Sequence, residues 1–287
     1  MTIRNPVEWG VDQMKLAGAA AGSVGHAIGE TADASRARTP AVRRIALNDL
    51  RDVLKKGFED FAACRSDVAF LCLIYPVAGL VLAWMAFDYD MLPLLFPLAS
   101  GFALIGPFAA LGLYEMSRRR EHGAHASFPD AFSVVRAPAF GRIVALGLLL
   151  VAIFLTWLAT ALTIYNVTLG PAPPASALAF AHDVAATRAG WAMIALGMGA
   201  GFLFALLVLA ISVVSFPLLL DRDVTLRTAI ATSARAVAAD PGPMAAWGLI
   251  VAGGLLIGSA PLLLGLIVAM PVLGHATWHL YRRIVPR

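Results

Sequence analysis

Residues 190–220 read GWAMIALGMGAGFLFALLVLAISVVSFPLLL and contain no Asp, Glu, Lys or Arg. A helix needs about 20 such residues to cross the hydrocarbon core of a bilayer. The whole chain of 287 residues is 60% hydrophobic and 14% charged, whereas soluble domains are about 45–50% apolar and about 25% charged. A soluble core of this size could not bury so much apolar surface. The sequence therefore predicts a polytopic integral membrane protein.

Further stretches without acidic or basic residues predict the other spans. A single helix through residues 258–261 would give five spans in all, but a count of six places every Lys and Arg except Arg188 on the same side as the N-terminus. Basic residues concentrate on the cytoplasmic side of membrane proteins. We therefore predict an all-α bundle of six transmembrane helices with both termini cytoplasmic. The other five spans are 68–87, 91–114, 143–165, 244–257 and 261–281.

The segment before the first span predicts an amphipathic helix at 47–65. Its apolar residues recur every three or four positions along one side, the apolar stripe, and charged residues that include Asp60 lie around the other side. Such a helix is expected along the inner membrane surface, and the alternative is a solvated helix packed on the protein's own inner loops. Residues 1–46 predict a cytoplasmic segment with a weak helix and a flexible linker, so that 47–287 form the membrane domain. The apolar residues of the stripe are Leu47, Leu50, Leu54, Phe58 and Phe61.

A weak internal repeat starts from the same helix. Residues 50–54 (LRDVL) resemble residues 128–132 (FPDAF) and 226–230 (LRTAI), and the next predicted span begins 18, 15 and 18 residues after these starts. Each unit would be a surface amphipathic helix followed by a two-span hairpin. The pattern suggests a threefold repeat.

Several blocks of sequence resemble a known family of bacterial membrane proteins. They are residues 74–76 (IYP), 96–102 (FPLASGF), 106–108 (GPF), 113–115 (LYE), 215–222 (SFPLLLDR) and 271–282 (PVLGHATWHLYR). The chain resembles, over residues 47–283, the domain of unknown function 2189 family of uncharacterised integral membrane proteins. The resemblance implies a multi-pass protein of the bacterial inner membrane without an established activity.

Two histidines near the inner end of the last span are candidate metal ligands. His275 and His279 are four residues apart and share one face of a helix, a spacing that can chelate a metal. A third ligand would have to come from His122, His125 or Glu115. The alternative is a pair of histidines that form hydrogen bonds at the membrane interface. We predict no cofactor.

Other polar residues in or near the spans are candidates for a polar cavity. Polar groups inside a membrane are often functional. The alternative for Glu115 is an ion pair with the arginines that follow it, and hydroxyl groups in spans often bond the preceding helical turn. The cavity candidates are Glu115, Thr156, Thr160, Ser215 and His275.

Prolines interrupt several of the predicted spans. Each proline removes a backbone donor and strains the preceding turn, and broken helices can expose backbone groups to a substrate. We predict a cavity near residues 97–107 and Pro217; the alternative is a static kink whose backbone groups are satisfied by neighbouring helices. The six prolines are Pro76, Pro93, Pro97, Pro107, Pro217 and Pro271.

Motifs of enzymes and of nucleic-acid-binding proteins are lacking in the sequence. It contains no P-loop and no H-E-x-x-H, and its basic residues flank apolar spans instead of forming a separate domain. Residues 98–101 (LASG) are one glycine short of the G-x-S-G motif of rhomboid-type intramembrane serine proteases. In that remote alternative Ser100 would be the nucleophile and His275 its base. The sequence favours a non-enzymatic accessory, assembly or envelope-homeostasis component that contacts the lipid bilayer and other membrane proteins. The alternative is a small-solute or ion transporter with proline-kinked helices.

Overall fold

The computed structural model describes residues 40–64, 76–77, 79–81, 84, 91–124 and 127–287. Within these residues every regular element is a helix, so the all-α prediction is confirmed. The predicted helix and linker in residues 1–39 and most of the predicted span 68–87 lie outside the described residues. The α-helices are α1 (Leu47–Ala63), α2 (Leu95–Ala109), α3 (Leu111–Glu121), α4 (Phe128–Ala131), α5 (Phe140–Thr168), α6 (Ala177–Ala186), α7 (Arg188–Ser212), α8 (Ser215–Asp221), α9 (Leu226–Ala239), α10 (Pro241–Ser259) and α11 (Leu266–Ile284).

Four helical stretches of the described chain are long and apolar enough to cross a membrane. They overlap the predicted spans 91–114, 143–165, 190–220 and 244–257. The predicted span 261–281 corresponds to α11, whose second half contains two histidines and two arginines and which is not among the four. The count of six spans therefore stays a prediction. The four stretches are Leu92–Glu121, Phe140–Thr168, Arg188–Asp221 and Pro241–Ser259.

The helices α10 and α11 form a close antiparallel hairpin. A Cβ atom added at Gly258 would lie 3.0 Å from the Cβ of Ala269, and one added at Gly254 would lie 3.1 Å from the side chain of Leu273. Small residues let two helix backbones approach closely in this way. Residues 258–261 therefore lie at the end of α10 and the start of a turn, and not within one continuous helix.

Two of the four candidate membrane-spanning stretches are broken helices. The first breaks at Ala110, between α2 and α3, and the second breaks at Val213 and Val214, between α7 and α8. Pro217 has no N–H group to donate to the carbonyl of Val213, four residues earlier. The N–H of Val214 instead donates to Oγ of Ser233 on α9, with an N–O distance of 3.2 Å. A side chain of the neighbouring helix thus accepts the N–H of Val214 at this break.

Aromatic side chains fill the core, while aliphatic and aromatic side chains also cover much of the outer surface. Phe202, Leu249 and Ile257 are 66%, 74% and 75% exposed. Exposed apolar residues on long helices provide the surface that lipid tails solvate. The largest fully buried side chains are Trp157, Trp247, Trp278, Tyr114, Tyr281 and Phe216.

Helix α1 packs along α11 through a face that includes Asp60. The buried positions are Leu50, Val53, Gly57 and Asp60, which recur every three or four residues and so share one face. Phe58, which the sequence analysis placed on the apolar stripe, is 57% exposed. The prediction that Asp60 lies with the other charged residues, on the side opposite the apolar stripe, was therefore wrong.

The glycine of α1 explains why this face is the buried one. A Cβ atom at Gly57 would lie 2.6 Å from the Cβ of Ala276 and 2.7 Å from the carbonyl oxygen of Val272. Arg283, near the end of α11, forms a salt bridge at 3.1 Å with Asp52, in the first half of α1. The two helices therefore run antiparallel. The position of α1 along the membrane surface stays a prediction.

Candidate functional site

Asp60 is the centre of a buried polar cluster that joins α1, α3 and α11. Oδ1 accepts a hydrogen bond from Nε of Arg120 at 2.9 Å. Oδ2 accepts one from Oγ of Ser117 at 2.6 Å and one from Nε2 of His279 at 2.9 Å. Three donors from two other helices thus surround the carboxylate, which is 7% exposed as a residue.

These hydrogen bonds keep Asp60 ionised. Burial alone would raise the pKa of the Asp60 carboxyl, but the hydrogen bonds from His279, Ser117 and Arg120 outweigh burial and lower the pKa from 3.8 to about 2. Hydrogen bonds to the charged form of a carboxyl favour that form. At neutral pH the cluster therefore contains a carboxylate ion.

The fully buried His275 lies behind Ser117 in the same cluster. Its Nδ1 is 2.8 Å from Oγ of Ser117. Because the single hydroxyl proton of Ser117 goes to Asp60, the imidazole Nδ1–H is the donor in this contact. The carbonyl of Leu113 approaches the ring, but Nε2 has no hydrogen bond of normal geometry to any described residue.

The two histidines that are candidate metal ligands each have a hydrogen-bond partner within the protein. His275 contacts Ser117, and His279 donates to Asp60. Of the further candidate ligands, His122 contacts the backbone carbonyl of Arg118, and His125 lies outside the described residues. Among the residues that the structure describes, no three His, Cys, Asp or Glu side chains are arranged to hold a metal ion.

Glu115 is buried in a separate ion-pair group on the same side of the bundle. Its Oε2 is 2.7 Å from Nε of Arg118, and its Oε1 is 2.8 Å from Nε of Arg119. Arg119 also reaches Oδ1 of Asp130 at 2.7 Å. Glu115 therefore pairs with the arginines three and four residues later, as the interfacial alternative predicted, while Arg120 turns to Asp60.

The other predicted cavity residues do not join this site. On α5, Thr156 is exposed and Thr160 is half-buried, and their hydroxyl groups donate to the carbonyls of Ala152 and Thr156 at 2.8 Å. Ser215 is buried, and its hydroxyl donates to the carbonyl of Ile211 at 2.6 Å. The structure brings together neither these three hydroxyl groups nor the five cavity candidates as a set.

Ser100 and His275, the remote protease pair, do not form hydrogen bonds to each other. Oγ of Ser100 donates to the carbonyl of Pro97 at 2.6 Å and accepts from Nε1 of Trp157 at 2.8 Å. His275 contacts a different serine, Ser117. Ser100 therefore anchors α5 to the start of α2.

A polar cavity of about 290 Å³ opens between α1, α3 and α11, next to the cluster. Asp60, Ser117 and His279 form part of its wall. Cations predominate among the charged side chains that line it: Lys56, Arg120, Arg282 and Arg283, against the acids Asp60 and Glu121.

A second cavity of about 370 Å³ lies between α2, α7, α10 and α11 and is almost entirely apolar. Pro107 and Val213, beside the two helix breaks, line it, whereas Pro97 and Pro217 do not. A substrate cavity at the proline kinks stays a prediction. None of the five predicted cavity residues lines either this cavity or the polar one.

Asp60, Ser117 and Arg120 were missed by the sequence analysis. The available signal was the spacing of Val53, Gly57 and Asp60, which places a carboxylate on the face whose glycine permits close helix contact. Ser117 and Arg120 are three residues apart on α3 and carry no comparable signal. Their role depends on how three separate helices meet.

The comparison with protein families agrees with this architecture. The family model described as Predicted integral membrane protein (DUF2189) matches residues 95–221, from the start of α2 to the end of α8. The resemblance to that family is confirmed. The chain is an integral membrane protein with several apolar helices. The match includes Ser117 and Arg120 but not α1 or α11, and no curated protein or solved structure shows significant similarity to the chain.

Proposed function

We propose that this protein is a non-enzymatic accessory, assembly or envelope-homeostasis component of the bacterial inner membrane. The observation that carries the proposal is the polar cluster, in which Asp60 accepts from Ser117, Arg120 and His279. Its groups bond to one another across three helices. The three hydrogen bonds to the Asp60 carboxylate hold the three helices in one arrangement, because loss of a donor would leave a buried charge poorly satisfied.

The geometry of the cluster also argues against nucleophilic catalysis. In a catalytic triad the serine donates to the histidine, and the carboxylate orients that histidine. Here Ser117 donates to the carboxylate of Asp60 and accepts from His275. The carboxylate that accepts the Ser117 proton is a weak base, because the pKa of Asp60 is about 2, and Ser117 is only 1% exposed.

We also propose a membrane topology for the chain. It comprises six spans, both termini in the cytoplasm and three units of a surface helix plus a hairpin. The antiparallel contact of α10 and α11 supports a final hairpin, and α1, α4 and α9 are helices at the three repeat starts. The short α4, with its following 3₁₀ turn, shows that the units differ in detail. Besides lipid, we propose other membrane proteins as partners and no nucleic acid.

Purification in mild detergent would test the accessory role. We expect a defined membrane protein to co-purify in a fixed ratio, and its complex to assemble poorly in cells that lack this chain. Mass spectrometry identifies the partner, and native gels measure assembly with and without a restored copy of the gene. An unrelated polytopic protein with the same tag serves as control. A Soret band, a bound metal or unchanged assembly would contradict the proposal.

A transporter is the second candidate, and the apolar cavity beside two broken helices favours it. Its walls are unsuited to an ion, because an ion in an apolar site loses hydration without compensation. The substrate would therefore be an apolar solute. Uptake of apolar and charged fluorescent solutes by proteoliposomes would separate this candidate from the first, since an accessory protein should transport neither.

A further inference from the structure

We propose that the polar cavity between α1, α3 and α11 binds a phosphate group, presented either by a phospholipid headgroup or by a soluble phosphate. This binding site is independent of the accessory role proposed above. Four cationic side chains and two carboxylates line the cavity, which gives its walls a formal charge of +2 with His279 neutral. Arginine and lysine together are the usual protein ligands of phosphate.

The two carboxylates in the wall are already engaged by protein donors. The bonds to Asp60 come from three residues. Glu121 accepts from Nε of Arg282 at 3.1 Å and from Nη2 of Arg287 at 3.0 Å through Oε1. Its Oε2 accepts from Trp278 at 3.1 Å. The three arginines are also paired: Arg120 with Asp60, Arg282 with Glu121 and Asp221, and Arg283 with Asp49 and Asp52. Lys56 is therefore the cation of the wall whose charge remains for a ligand, and the guanidinium groups add the N–H donors that these pairs leave unused.

Lys56 supplies the cation that the protein does not balance. It lines the cavity, is exposed, and forms no salt bridge with any residue that the structure describes. Its neighbour Lys55 differs, because Lys55 does not line the cavity and lies 3.9 Å from Glu59. The two lysines therefore form a matched pair for an experiment.

The position of the cavity permits both sources of phosphate. Arg282 and Arg283 follow the apolar part of α11, and arginines at the end of an apolar helix lie at the level of lipid headgroups. The same level is accessible to solutes from water. A volume of about 290 Å³ is close to the lower end of the range for small-molecule sites, about 300 Å³.

The test uses the full-length protein with Lys56→Glu and Lys55→Glu as matched variants and Lys56→Arg as the conservative variant. Inorganic phosphate is titrated into detergent-solubilised protein by calorimetry. Lipid binding is measured by native mass spectrometry in nanodiscs containing phosphatidic acid or only phosphatidylcholine. We expect Lys56→Glu to weaken phosphate binding at least about tenfold, and Lys55→Glu and Lys56→Arg to change it less than about threefold.

Each of the two binding measurements identifies one source of the phosphate group. Saturable binding of inorganic phosphate supports a soluble ligand, and selective retention of phosphatidic acid alone supports a lipid headgroup. The proposal is overturned if neither probe binds saturably, or if the two glutamate variants weaken binding equally. Circular dichroism and thermal unfolding of each variant confirm that the comparison is made on folded protein.

Discussion

Asp60 connects residues that are far apart in the sequence, since its partners are Ser117, Arg120 and His279. Its contribution to stability depends on its being ionised. The folded-state pKa of about 2 lies below the ordinary value of 3.8, and a depressed pKa corresponds to a favourable interaction of the charged form. A difference of this size corresponds to about 2 kcal/mol.

We expect Asp60→Asn to lower the free energy of unfolding by about 2 kcal/mol at pH 7. The contribution of Asp60 should be complete above pH 3.8 and be lost as the pH falls towards 2, so wild type and variant should converge in acid. Denaturant unfolding in detergent at several pH values measures this. Asp52→Asn is the control, because Asp52 is 60% exposed in its salt bridge with Arg283 and should matter by less than about 1 kcal/mol. Equal losses in the two variants would contradict the assignment.

Two close contacts between helices decide how the elements pack. At Gly57 of α1, an added Cβ atom would lie within 2.7 Å of the backbone nitrogen of Ala276 and of the carbonyl oxygen of Val272 on α11. At the break between α7 and α8, the N–H of Val214 bonds to Ser233 of α9. Neither contact involves a charged group.

Gly57→Ala should destabilise the protein by about 1–3 kcal/mol, because overpacking against backbone atoms forces helices apart. In an exposed helix the same change would instead stabilise by up to about 1 kcal/mol. Thermal unfolding in detergent compares it with Gly197→Ala, where an added Cβ atom meets nothing within 4 Å. A neutral Gly57→Ala would show that α1 and α11 are not in close contact.

Ser233→Ala should cost about 1–3 kcal/mol, because the buried N–H of Val214 loses its acceptor. Ser259→Ala is the matched control, since the hydroxyl of Ser259 only donates to the carbonyl of Leu255 in its own helix at 2.8 Å. Hydrogen exchange measured by mass spectrometry should also show faster exchange around the break in Ser233→Ala alone. If the two variants lose equal stability and exchange at equal rates, a group other than Ser233 accepts the N–H of Val214.

At the scale of the whole molecule, the charge distribution predicts which side each loop faces. A reporter active only in the cytoplasm should be active when fused at either terminus, and inactive when inserted at residues 170–174 of the predicted outer loop. Activity measured in intact cells, normalised to protein amount, tests the prediction. Opposite results for the two termini would require an odd number of spans.

The sequence by itself determined the membrane environment, the helical class and the approximate limits of four candidate spans, because the solvation of a long apolar stretch depends on its own composition. It also determined the pairing of Glu115 with Arg118 and Arg119, because those residues are one helical turn apart. Only the tertiary structure decided that Asp60 is buried and meets His279, 219 residues later. Contacts between helices depend on packing geometry at positions such as Gly57, which no local pattern of charge or hydropathy encodes.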